Sequence, residues 1–305
     1  MKKGYLYIIL AAVLFSTMEL ASKMIAVKIN PFQLTFIRFL IGGLVLLPFS
    51  IKEIKSRNLK LSINDLLFFL FTGTLCVVIG MSFFQLAILY TKASTVAIVF
   101  STNPIFTIPF AFFILKENVT KKTILSLFLS LIGILFILNP LALSPDFGGI
   151  ILAVLSAITF SLFCVIGKLR IKKYGSFLSN CFTFLAGDLI LLLGLILFKL
   201  PIISGINTSN IIQIVYLGVA VTGFGYVFYF LAMKETSAIT ASTVFFIKPA
   251  LAPLLALIIL HESIPLNTII GIVLILGGSY ISIFSGNMTG RKPPIKLKTK
   301  LITYH

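Results

Sequence analysis

Tryptophan is absent from this 305-residue chain, histidine occurs only twice and cysteine three times, and 8 acidic residues face 25 lysines and arginines. Charged residues of both signs make up 11% of the chain, about half of what a soluble domain carries, which excludes a globule surrounded by water. His261 and Glu262 stand side by side, but no HExxH spacing follows, and neither a Gly-x-Ser-x-Gly elbow nor a Walker loop occurs. No enzyme activity and no cofactor is expected. Cys76, Cys164 and Cys181 lie inside apolar runs without metal-ligand spacing and read as reduced core residues. The shortage of acid leaves a formal charge of +17, which in a soluble chain would raise the question of nucleic acid. Here the basic residues sit in short clusters between apolar runs, as cytoplasmic loops of membrane proteins do, so no nucleic-acid partner is expected.

What the chain has in abundance is apolar sequence: 59% of residues, with a mean hydropathy of +1.13. Ten segments, at 5–22, 32–50, 66–90, 93–115, 123–138, 149–167, 179–198, 211–233, 238–260 and 266–284, are each long enough or nearly so to cross a bilayer. The expected fold is an all-α membrane protein of ten transmembrane helices, whose backbone groups must be satisfied within the helices. With the N-terminus in the cytoplasm, the inner segments collect clusters such as Lys2 and Lys3, Lys52 to Arg57, Lys121 and Lys122, and Lys172 and Lys173. The outer segments then hold only Lys28, Lys92 and Lys199. That asymmetry places both termini in the cytoplasm of a cell (plasma or inner) membrane.

The sequence also repeats at an offset of 145 residues. Gly42 falls on Gly187, Gly73 on Gly218, Gly80 on Gly225, Phe15 on Phe160, Lys23 on Lys168, Pro104 on Pro249 and Glu117 on Glu262. Residues 1–142 and 147–288 form the two copies, and 289–305 a basic cytoplasmic tail near anionic lipid heads. Five crossings per copy is an odd number, so the second copy enters from the opposite face. A 5+5 inverted-topology repeat of this kind recurs in carriers that alternate access to a midplane site.

Charges inside a bilayer are costly and need a partner or a water-filled cavity. Glu19, Arg38, Asp188 and Lys248 are the deep ones. Glu19 and Arg38 come at about 9 Å from the outer edge by helical rise and can pair, either as a structural bridge or as a proton- or cation-coupling group. Asp188 falls near mid-depth and can neutralise Lys248. Asn103 and Lys248 occupy equivalent positions directly before Pro104 and Pro249, and proline interruptions at matched places in two halves point to a substrate site. Pro109 and Pro253 add a further break to each helix. Thr222, Tyr226 and Tyr229 share one face of the eighth segment and offer hydroxyls to a cavity wall or a helix contact. Gln85 is a weaker candidate of the same kind.

These residues resemble the EamA-type branch of the drug/metabolite transporter superfamily over residues 4–285. Phe15-Ser16-Thr17 through Lys23, Arg38-Phe39, Ala87 through Ser94, Pro104 and Leu115-Lys116-Glu117 carry the likeness. The second copy adds Thr236-Ser237-Ala238, Pro249 and Leu260-His261-Glu262. Phe15-Ser16 stands where members often have Trp-Gly, and Glu19 departs from the common pattern. The resemblance implies a ten-helix carrier with a central cavity lined by helices one, three, four, six, eight and nine, and helices five and ten at the periphery. It also implies export of amino acids or similar small metabolites by alternating access. The alternatives are a membrane-embedded enzyme and a passive channel. The expected partners are a small-molecule substrate and the lipid bilayer, and the pattern is compatible with a homodimer.

Overall fold

The computed structural model describes residues 2–138, 147–245, 257–259, 261 and 264–286. Lys248, Pro249, Pro253 and Glu262 lie outside them. All regular structure among the described residues is helical. Seven helical stretches are long and apolar enough to cross a membrane: Lys3–Lys23, Pro31–Ser56, Ile63–Tyr90, Ala93–Leu115, Phe147–Tyr174, Ser176–Leu197 and Ile211–Glu235.

In chain order the elements are α1 (Lys2–Ser16), α2 (Met18–Lys23), α3 (Pro31–Ser56), α4 (Ile63–Gly73), a π-helical stretch (Thr74–Met81), α5 (Ser82–Tyr90), α6 (Ala93–Phe100), α7 (Asn103–Leu115) and α8 (Lys121–Leu138). The second half follows with α9 (Phe147–Tyr174), α10 (Ser176–Leu197), α11 (Ile211–Tyr216), a second π-helical stretch (Leu217–Gly225), α12 (Tyr226–Glu235), α13 (Ala238–Ala241) and α14 (Leu266–Gly286). Apolar α8 and α14 pack along one another, with Gly133 against the Gly271 carbonyl.

Local chemistry sets the ends. Asn30 accepts from the N–H groups of Phe32 and Gln33 at 3.0 and 3.4 Å, and Pro31 opens α3 where its missing N–H is harmless. Ser62 and Asp65 form a reciprocal capping box on α4. Gly175, at φ 84°, turns α9 into α10, and a Cβ there would overlap the Glu53 carboxylate. Glu53 Oε2 accepts from Leu178 N at 3.0 Å, closing the start of α10. Pro104 sits in the first turn of α7 after a break at Ser101 and Thr102. Pro109, in contrast, lies inside α7, which continues to Leu115 and does not break there.

Contacts made by the repeat-equivalent residues are exchanged between the halves. A Cβ on Gly73 would lie 2.5 Å from both Gly187 N and Thr183 O, so α4 and α10 cross backbone to backbone. The equivalent crossing brings Gly42 of α3 against Gly218, with a Gly42 Cβ 3.1 Å from Gly218 O. Gly80 abuts Thr159 and Phe160 of α9, and Gly225 abuts Phe15 of α1. Each π-helical stretch therefore lies against the first two long helices of the other half. Both stretches fall at the same place in the repeat, and π-helical turns are rare and concentrate at functional sites.

Phenylalanines fill the centre in equivalent pairs. Phe39 meets Phe184 at 4.9 Å between ring centroids and Phe100 meets Phe245 at 5.6 Å, both nearly perpendicular. Phe15 lies 6.0 Å from Phe245, and its counterpart Phe160 lies 5.3 Å from Phe100. Edge-to-face contacts of this kind add about 0.5–1.5 kcal/mol each beyond burial.

Candidate functional site: a buried polar cluster between the halves

Tyr226 marks the middle of the molecule. Its ring is boxed by Phe15, Phe160, Phe39 and Phe184 at 5.4, 5.7, 5.7 and 5.1 Å, two pairs related by the repeat. Around it the apolar core holds charge. Arg38 of α3 and Asp188 of α10 are 0% and 2% exposed. Arg38 Nη2 donates to Met81 Sδ at 3.1 Å, and the guanidinium stands 4.9 Å from the Phe39 ring centroid. Its Nε and Nη1, and both carboxylate oxygens of Asp188, meet no hydrogen-bond partner among the described residues.

Arg38 makes no ion pair among the described residues. The guanidinium is within electrostatic reach of Glu19, Tyr226 and Cys76, and Asp188 within reach of Arg38. Glu19, at the start of α2, is also buried.

Thr222, Tyr226 and Tyr229 are all fully buried, and none of their hydroxyls has a hydrogen-bond partner among the described residues. Thr222 lies within the second π-helical stretch, and the tyrosines follow on α12. Gln85 Nε2 reaches Ser22 Oγ at 3.5 Å, a long contact. Asn103 is fully engaged with its surroundings. Its Nδ2 donates to Ala157 O at 3.2 Å, its Oδ1 accepts from Thr107 at 2.9 Å, and its carbonyl accepts from Ser161 at 3.0 Å. These bonds pin the restart of the helix at Pro104 to α9. Lys248 lies outside the described residues.

Two cysteines belong to the cluster although their sequence context reads as ordinary core. Cys76, in the first π-helical stretch, and Cys164 of α9 are both 0% exposed and lie in the same core cluster as Tyr226 and Tyr229. That buried cluster also holds the Phe15, Phe39, Phe160 and Phe184 rings. No group of three or more His, Cys, Asp or Glu residues among the described residues is arranged to hold a metal.

Desolvating two charges and three hydroxyls that are incompletely bonded among the described residues costs several kcal/mol. A fold keeps such groups where a ligand or a second conformation supplies the missing bonds.

Residues 2–139 and 147–284 each match the EamA-like transporter family. The chain belongs to that family. It is 49% identical over 295 residues to an uncharacterized transporter of Clostridium kluyveri, covering 94% of each chain. It is 28% identical to an S-adenosylmethionine uptake transporter of Rickettsia prowazekii over 56% of each chain. A solved crystal structure with a TM-score of 0.71 and 20% identity, covering 94% of this chain and 99% of the other, has the same fold. A multi-pass membrane transporter explains both the apolar helices and the family match.

Proposed function

We propose that the protein is a secondary-active carrier that moves a small polar metabolite, an amino acid or a compound with an amino-acid head group, by alternating access between two halves of opposite orientation. The halves are five-helix units spanning residues 1–142 and 147–288 in a cell membrane, with both termini in the cytoplasm. The observation that carries this reading is the polar cluster at the junction of the repeats. Among the described residues Arg38 has N–H groups without a partner to offer a carboxylate, Asp188 has oxygens without a partner to offer an ammonium, and the hydroxyls of Thr222, Tyr226 and Tyr229 offer further bonds. A zwitterion replaces with its own charges the partners those groups lack. The exchanged glycine crossings support the inverted arrangement, because equivalent helices meet across the two halves.

Export is the direction favoured here. The name of the Rickettsia relative favours uptake, and the driving gradient decides between them for a reversible carrier. Counterflow in proteoliposomes preloaded with unlabelled solute tests the proposal, using radiolabelled amino acids, S-adenosylmethionine and a nucleoside as probes. Transient accumulation of one amino-acid-like probe is the expected result. Downhill flux without counterflow indicates a channel, chemical conversion of the probe indicates an enzyme, and counterflow of the nucleoside alone removes the zwitterion assignment.

A further inference from the structure

Glu117, just past the end of α7, has a carboxylate with three bonds to other elements. The chain leaves α7 through Lys116 in a left-handed conformation (φ 56°), and Glu117 N donates back to Ala111 O at 3.2 Å, which aims the following side chain across the end of the bundle. There Lys168 Nζ of α9 donates to Glu117 Oε1 at 2.6 Å. The same carboxylate accepts from the backbone N–H of Ala238 at 3.0 Å and of Ile239 at 3.2 Å. These first N–H groups of α13 have no partner within their own helix, and Ser237 caps only Thr240 N. One carboxylate therefore ties α7, α9 and α13 together. The ion pair is half-sheltered, with side chains 15% and 16% exposed, and it lies on the face that carries the basic loops.

Lys168 follows Cys164 by one turn of α9, and Cys164 and Tyr229 are fully buried in the same core cluster. At the equivalent position of the first repeat, Lys23 donates to Ile88 O at 2.8 Å and Thr91 O at 2.7 Å, joining the end of α2 to the end of α5. A lysine thus fastens helix ends at the same place in both halves.

We propose that Glu117 with Lys168 is the gate closing the buried polar cluster toward the basic-loop face, and that this tie opens and re-forms in each transport cycle. The proposal rests on the alternating-access reading and adds to it which bonds hold that side shut. A bond of this type serves as a gate because it is strong when dry and its partners are well solvated once apart.

Cys164 is a built-in reporter, fully buried one turn of α9 from Lys168. In a Cys76→Ala, Cys181→Ala background, a membrane-impermeant methanethiosulfonate reagent is added to one side or the other of oriented membrane vesicles, and the rate of Cys164 labelling is measured. Glu117→Gln is expected to raise the rate from the basic-loop face by about tenfold or more, as loss of charge-assisted bonds from the closed state alone should. The rate from the opposite face is expected to stay unchanged. Lys168→Met keeps the carboxylate on Ala238 and Ile239 and is expected to act in the same direction, which covers the case in which Glu117→Gln does not fold. Glu53→Gln, which weakens another carboxylate cap on the same face, is expected to leave the rate unaltered. An unchanged rate in both gate variants, an equal rise from both faces, or an equal rise in Glu53→Gln overturns the proposal. The readout needs no substrate, so failure of every probe to show counterflow leaves the gate standing, while a failed gate leaves counterflow untouched.

Discussion

Replacing Gly73 by alanine tests the exchanged crossings. The new Cβ would stand 2.5 Å from Gly187 N and 2.5 Å from Thr183 O, where ordinary van der Waals contact begins at about 3.4 Å. Both atoms are backbone, so no rotamer can relieve the overlap and the helices must part by about 1 Å. Overpacking of this kind costs about 1–3 kcal/mol, and for a chain this large each kcal/mol moves the unfolding midpoint by about 2–4 °C. The expected fall in detergent is therefore about 2–12 °C, read by thiol-reactive dye or by size-exclusion after heating. Gly194→Ala is the control, because a Cβ there meets nothing within 4 Å, and alanine favours a helix over glycine by up to about 1 kcal/mol. Its midpoint should hold or rise. If Gly73→Ala is as stable as the parent, or Gly194→Ala falls as far, the backbone crossing does not hold the halves together.

Arg38→Met should abolish counterflow while raising the thermal midpoint, because it removes a buried charge whose Nε and Nη1 have no partner; a lower midpoint with flux intact would make Arg38 a structural residue. Tyr226→Phe deletes a hydroxyl that bonds to nothing among the described residues, so stability should be unchanged and only the concentration dependence of counterflow should shift. Asp65→Asn breaks a carboxylate that takes bonds from Lys173 at 2.6 Å, Tyr174 at 2.6 Å and Arg170 at 3.3 Å. With the two cations partly in solvent, the loss should be about 1–3 kcal/mol of stability, measured as a lower midpoint with no change in which solutes compete.

The all-helical, two-repeat character was legible in the sequence where it depended on period, and seven stretches among the described residues are long and apolar enough to cross a membrane. Apolar runs of membrane-spanning length reappear as helices because lipid leaves the backbone no other way to satisfy itself. The 145-residue offset paired glycines that the structure places at equivalent crossings, since close approach needs a missing Cβ whatever the neighbours are. The π-helical stretches were not legible. Thr74–Met81 and Leu217–Gly225 have the composition of any apolar helix, and the glycines that open or close them at matched positions were the one available sign. Spacing singled out Thr222 of the π-helical stretch and Tyr226 and Tyr229 of α12, all three buried, but it could not show that their hydroxyls lack partners among the described residues. Charge pairing was less accessible still. Arg38 sits within reach of both Glu19 and Asp188, an arrangement decided by how α3 and α10 cross. Lys168 and Glu117 each stood out by having a repeat partner, yet their meeting depends on a left-handed turn at Lys116 that no local propensity announces. Cys76 and Cys164 carried no signal at all, because a small apolar residue and a cluster member look alike in one dimension.

The interlocked glycines also bear on how the chain is made. Gly73 finds its backbone neighbour in Gly187, over a hundred residues later, which at roughly 5–20 residues per second is a delay of about 6–20 s. Until then the nascent third crossing has lipid or the insertion machinery where its neighbour will be, and a ribosome stalled between the copies would leave a half-built protein with an open seam, a ready mark for quality-control proteolysis.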